Sequence, residues 1–262
     1  MSNERVENRK TFENMGHELK PLWRKFFRYD WKFGLFLIAM ICIPRFLLVL
    51  QANEKADYSY IGLIMLASAI IPFIFLNKQG RKAIGLTCPR NYSWLLIAMA
   101  IGLIFSVALY FAGEWLYGDS YENGYVYIGE SYNIPDGING KDKLTMFLIM
   151  AATGMIFSPI GEELFFRGIV HASFAKSLGK TKASIIDSSA FALTHLSHFG
   201  LVFINNEWTF FAVPAILWVF SMFLVSLLFF VCRYKSGSLL GAILCHSAFN
   251  LGMIYCIFYF IH

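Results

Sequence analysis

Two adjacent carboxylates, Glu162 and Glu163, and a guanidinium, Arg167, lie in the run Ser158-Pro159-Ile160-Gly161-Glu162-Glu163-Leu164-Phe165-Phe166-Arg167-Gly168, which is flanked by apolar sequence. Ionisable groups at membrane depth are costly, so they face a partner or a water-filled cavity. Glu163 and Arg167 are four residues apart with the carboxylate first, the favoured order for a helical ion pair. Glu162 points elsewhere on the helix and is left without a local partner. Phe191 and His195 form a second i, i+4 pair, with His198 further along, and His246 and Asn250 form a third. A carboxylate set between burial, which raises its pKa, and a nearby cation, which lowers it, suits general-base activation of water. His and Asn donors aimed at one point stabilise an oxyanion. Amide hydrolysis uses all of these groups.

Each signal alone has an ordinary reading. A Glu–Glu–Arg cluster is commonly a structural ion pair, and a lone His in an apolar segment is commonly a satisfied hydrogen bonder. A His-xxx-Asn pair often just joins helices. The conjunction carries the argument, and depth supports it. From the nearest basic marker at 1.5 Å per residue, Glu162 is about 21 Å from Lys176, His195 about 20 Å from Lys182 and His246 about 17 Å from Lys235. Three separate segments thus bring ionisable groups to similar depth.

The elements that must position these groups are apolar helices. Of 262 residues, 57% are hydrophobic and only 15% charged, against roughly 25% charged in soluble domains. The expected fold is all-α, a polytopic integral membrane protein with seven to eight transmembrane helices around an intramembrane catalytic cavity. Expected spans are 33–50, 60–76, 94–115, 144–178, 183–202, 210–231 and 239–261. At about 1.5 Å per residue, 144–178 is too long for one straight crossing of about 30 Å. A break is therefore expected at Ser158-Pro159-Ile160-Gly161, which would make eight spans. Pro44 and Arg45 interrupt the first span, and Arg45 is read as snorkelling to its far end.

The net charge of +5 resides in short basic segments between apolar runs, a positive-inside pattern that excludes a nucleic-acid patch. It places the N-terminus in the cytoplasm. The connection 118–143 carries five acidic residues against two lysines and is expected outside. Residues 1–32 form a cytoplasmic and interfacial segment; Phe12, Met15, Leu19, Leu22, Trp23 and Phe26 recur at helical steps, as in an amphipathic surface helix. Residues 33–262 are expected to form a single transmembrane domain. Five scattered cysteines show no metal or disulfide spacing.

In order and spacing, Glu162-Glu163-xxx-Arg167, Phe191-xxx-His195 and His246-xxx-Asn250 resemble the motifs of the CAAX protease and bacteriocin-processing (CPBP, or Abi) family, over about residues 144–255. The resemblance implies an intramembrane glutamate-dependent endopeptidase acting on a membrane-associated peptide or protein. By it, Glu162 and His195 activate water, and His246 and Asn250 form the oxyanion site. Glu163, Arg167 and Phe191 support them. A metal-free site is favoured; a zinc held by Glu162, His195 and His246 is the alternative. A short chain with no large extra domain reads as bacterial and argues against prenylated CAAX proteins as targets. Peptide or pheromone precursors, leader peptides and membrane proteins stay open. The competing function is a non-catalytic membrane scaffold or regulator of a membrane protein partner, such as a sensor kinase, or a bacteriocin immunity-type protein. A proton-coupled transporter would show inverted repeats, and no matching halves are found.

Overall fold

The structure is a computed structural model and describes residues 18–58 and 60–262. Polar residues set the helix starts. Asp30 accepts from the backbone N–H groups of Lys32 and Phe33, opening α1 (Trp31–Lys55). Helix α2 (Ile61–Phe75) follows, and Asn77 then caps the short α3 (Lys78–Ala83) through the Gly80 N–H. Helix α4 is Ser93–Tyr117, and Asn123 caps α5 (Gly124–Glu130). Asn139 caps α6 (Gly140–Glu162), which continues without interruption as a π-helical segment (Glu163–Val170) and α7 (His171–Leu178). Helix α8 (Lys180–Thr194), a β-hairpin of β1 (Leu201–Ile204) and β2 (Glu207–Phe210), α9 (Ala212–Ser236) and α10 (Leu239–Cys256) complete the chain.

Five helical stretches are long and apolar enough to cross a membrane: Trp31–Lys55, Ser93–Tyr117, Gly140–Leu178, Ala212–Ser236 and Leu239–Ile261. The protein is thus a multi-pass membrane protein with a predominantly helical fold. Helix α2 is apolar but only 15 residues long, about 22 Å, and α8 has the same length.

The expected break at Ser158–Gly161 is absent, because neighbouring α10 supplies what the proline removes. Pro159 cannot donate to the carbonyl of Met155; Ser247 Oγ donates to it instead at 2.7 Å. Asn250 Nδ2 donates to the adjacent Gly154 carbonyl at 2.9 Å. The irregularity falls just past the proline, as the π segment, and both carboxylates sit at its start. Gly161 serves packing: a Cβ there would lie 2.5 Å from the Met65 carbonyl oxygen on α2.

The expected span 183–202 is also corrected. Helix α8 ends at Thr194, where hydroxyls compete for backbone groups: Thr194 Oγ1 donates to Ala190 O and Ser197 Oγ to Thr194 O. The chain then forms the hairpin, in which Ile204 pairs with Glu207 across Asn205 and Asn206. Both asparagines have positive φ, 53° and 64°, as a two-residue hairpin turn requires.

Of the expected N-terminal surface helix, Phe12 and Met15 lie outside the described residues. The described part is not an α-helix. It holds one 3₁₀ turn, Trp23–Lys25, and is stitched to the end of α2. Lys20 N–H donates to Phe75 O, Asn77 N–H to Glu18 O, and Trp23 Nε1 to Ile74 O. Leu19 is fully buried. Pro21 disfavours helical geometry at Lys20, and the adjacent Leu19 forms an extended bridge with Leu76.

Candidate active site

The two adjacent carboxylates face different partners. Glu163, fully buried at the start of the π segment, forms an ion pair with Arg167 Nε at 3.2 Å and lies 2.8 Å from His246 Nδ1. Arg167 is itself enclosed, its guanidinium carbon 4.3 Å from the ring centre of Phe191 and 5.1 Å from that of Phe229. Its Nη2 donates to Ser226 Oγ at 2.6 Å. His246 stacks on Phe229 at 4.5 Å, with the rings 13° from parallel. This inner group is built from the π segment, α8, α9 and α10.

Glu162, the last residue of α6, turns the other way. It has a local partner, contrary to expectation. Ser158 Oγ, one turn earlier, donates to Oε1, and Arg45 Nη2 of α1 pairs with the same oxygen at 3.1 Å. Arg45 is only 3% exposed and does not snorkel, because a buried carboxylate is within its reach. The opposite oxygen, Glu162 Oε2, is buried with no hydrogen-bond partner and lies 3.8 Å from His195 Nε2.

The histidine tautomers follow from their partners. His195 Nδ1 is 2.7 Å from Phe191 O, and a carbonyl only accepts, so Nδ1 carries the hydrogen and Nε2 faces Glu162. His246 Nδ1 likewise faces an acceptor, the Glu163 carboxylate, so Nε2 is its free nitrogen.

A cavity of about 240 Å³ gathers Arg45, Ser158, Glu162, His195, His198, His246 and Asn250 with an apolar lining that includes Phe191, Trp218 and Met222. The predicted Glu162, Phe191, His195, His246 and Asn250 all line it; Glu163 and Arg167 lie behind it. Asn250 has one amide hydrogen committed to Gly154, which leaves the other amide hydrogen and the oxygen. Tyr58 and Tyr132, from the connections after α1 and α5, also line the cavity. Burial pushes the Tyr58 phenol up to about 12, and burial, with Tyr58 nearby, raises Tyr132 too, so both stay protonated donors. Tyr58 donates to Asn53 Oδ1 at 2.7 Å.

The zinc set proposed from sequence does not fit. Among the described residues no group of three His, Cys, Asp or Glu side chains is arranged to hold a metal ion. Arg45 also brings a positive charge to Glu162 Oε1.

Sequence reasoning missed Arg45 and Ser158. The signal for Arg45 was present: it lies 13 residues beyond Lys32, about 20 Å in, at the depth of Glu162 and His195.

Comparison with protein families bears directly on this constellation. Residues 144–252 match the family described as type II CAAX prenyl endopeptidase Rce1-like. This stretch is an Rce1-like CAAX endopeptidase domain. The family is one of peptide hydrolases. The Rce1-like domain contains Glu162, His195, His246 and Asn250, whereas Arg45 comes from α1, outside it. No curated protein and no solved structure matches the chain.

Proposed function

We propose that the protein is an intramembrane endopeptidase in which Glu162 and His195 activate the attacking water. The observation that carries this reading is the pair of acceptors facing one space: Glu162 Oε2, buried and unpartnered, and His195 Nε2, 3.8 Å away. A water bound to both gives up a proton as its oxygen attacks the carbonyl carbon of the scissile amide. The carbonyl oxygen becomes the oxyanion. Asn250 offers it the amide hydrogen not used by Gly154, and His246 presents Nε2 to it while Nδ1 keeps its bond to Glu163. The proton taken from water passes to the leaving amine nitrogen as the C–N bond breaks. Arg45 and Ser158 fix Oε1 so that Oε2 stays on the water, while Arg167 holds Glu163 and through it His246.

In this reading residues 33–262 are one transmembrane domain. The 15-residue α2 and α8 complete seven crossings, and the N-terminus lies in the cytoplasm of a bacterial cell. The substrate is a membrane-associated peptide or protein.

The test compares membrane peptides from cells carrying the wild-type chain with those carrying Glu162→Gln, His195→Ala or His246→Ala. Glu162→Gln keeps an acceptor for Arg45 and Ser158 but removes the base. Loss of the same cleavage products in all three, with each variant still present in the membrane, is expected. Products retained by any one variant overturn the mechanism. Products retained by all three favour a non-catalytic scaffold.

A further inference from the structure

We infer that the cavity is entered from the extracytoplasmic side, so that its substrates are exported peptides or outward-facing segments of membrane proteins rather than cytoplasmic C-termini. The inference rests on the protease reading above and adds the side of access and the substrate class.

The two ends of the bundle differ in charge. The α2–α4 connection contributes Lys82 and Arg90, the α7–α8 turn Lys180 and the end of α9 Arg233; these four line one surface cavity, so three separate basic segments meet at the same end. Among the described residues none of the four forms an ion pair with a carboxylate. At the other end the connection 118–143 carries Asp119, Glu122, Glu130, Asp136 and Asp142 against Lys141 and Lys143. Scarcity of Lys and Arg marks the translocated side, and their clustering marks the cytoplasm.

The lining of the catalytic cavity reaches the connections at one of these ends. Its rim includes Tyr58 from the α1–α2 connection and Ser131 and Tyr132 just after α5. All three belong to the end poor in basic residues. Toward the basic end the path is filled. Arg167 and Phe229 are completely buried, and Phe166 and Phe191 are 1% exposed. These three rings surround the guanidinium at 4.3–5.8 Å, Ser226 Oγ accepts from its Nη2, and Glu163 pairs with its charge. A peptide arriving from the cytoplasm would have to displace a buried, paired charge, which is strongly unfavourable. A peptide arriving from the other face meets tyrosines and an apolar wall.

Sided cysteine labelling in the full chain tests this without relying on activity. Cys88, exposed in the basic α2–α4 connection, is a natural reporter of the cytoplasmic face. Ser131→Cys reports the rim, and Met253→Cys reports the cavity wall; neither has been given a catalytic role. A small charged methanethiosulfonate, which does not cross the bilayer, is applied to intact cells and to inside-out vesicles, and each site is quantified by mass spectrometry. The Ser131→Cys and Met253→Cys variants should be labelled at these sites in intact cells, and Cys88 only in inside-out vesicles. Labelling at the Met253→Cys site from the same side as Cys88, or from neither side, overturns the access route. Labelling at the Ser131→Cys site on the Cys88 side overturns the orientation. The peptides lost in Glu162→Gln cells test the substrate class: cuts in exported or outward-facing sequence are expected, and cuts confined to cytoplasmic tails reject it. Failure of proteolysis itself would appear as no lost peptide at all, with the labelling pattern unchanged.

Discussion

Arg45 and Glu162 are 117 residues apart in sequence and meet at 3.1 Å with both side chains almost fully buried. A buried pair of this kind is costly to break from one side, because the remaining charge has no solvent. Arg45→Met should therefore destabilise the protein by about 3–5 kcal/mol, read as a large fall in thermal midpoint in detergent. Adding Glu162→Gln to Arg45→Met removes the orphaned charge and should recover much of that stability while leaving the protein inactive. Equal destabilisation in the single and double variants would mean that the two groups do not interact. The residue types were legible in the sequence for Glu162, Glu163, Arg167, His195, His246 and Asn250, because helical spacing fixes which face each occupies. The Arg45 partnership was not legible: spacing relates residues within one helix and is silent about which helix lies opposite. Depth did point to Arg45, but the proximity of the helix end suggested solvent instead.

At the scale of elements, Pro159 and α10 form a single unit. The proline frees the Met155 carbonyl, and Ser247 Oγ takes it at 2.7 Å. Ser247→Ala should leave a buried carbonyl unpaired and cost about 1–3 kcal/mol. In a Pro159→Ala background the restored N–H can reach the same carbonyl, so the further cost of Ser247→Ala should shrink. Thermal unfolding of the four chains measures this coupling, and strictly additive losses would refute it. The sequence marked Pro159 as a break because the rescuing hydroxyl lies 92 residues away in sequence. A similar limit explains the early end of α8. Residues 183–202 are apolar enough to read as a span, yet local hydroxyls end the helix and Asn205-Asn206 turns the next residues into a hairpin. Asn205-Asn206 suits a turn, but Val202-Phe203-Ile204 fits a helix or a strand equally well by hydrophobicity alone.

For the molecule as a whole, the matched domain is not self-sufficient. Helix α4 lies against α10 so closely that a Cβ at Gly102 would fall 2.0 Å from the Cys245 carbonyl oxygen, and α2 meets α6 in the same way at Gly161. Both partners, together with Arg45, precede residue 140, whereas the family match covers 144–252. The first three apolar helices, too generic in sequence to carry a resemblance, therefore close the back of the site and neutralise its carboxylate. Chain 140–262 expressed alone leaves Glu162 buried without its guanidinium and the small-residue faces of α6 and α10 uncovered. It should accumulate poorly in the membrane and cleave nothing. Co-expression with 1–139 should restore both its level and its activity, because the contacts between the halves are tight packing, hydrogen bonds and the ion pairs Arg45–Glu162 and Lys176–Glu18 rather than covalent. The same co-expression with Gly102→Val in the first half should fail, since the added side chain forces α4 away from α10. Affinity capture of one half, scored for the other, separates the outcomes. Activity from 140–262 alone would show that the catalytic unit is the matched domain and that Arg45 is dispensable to it.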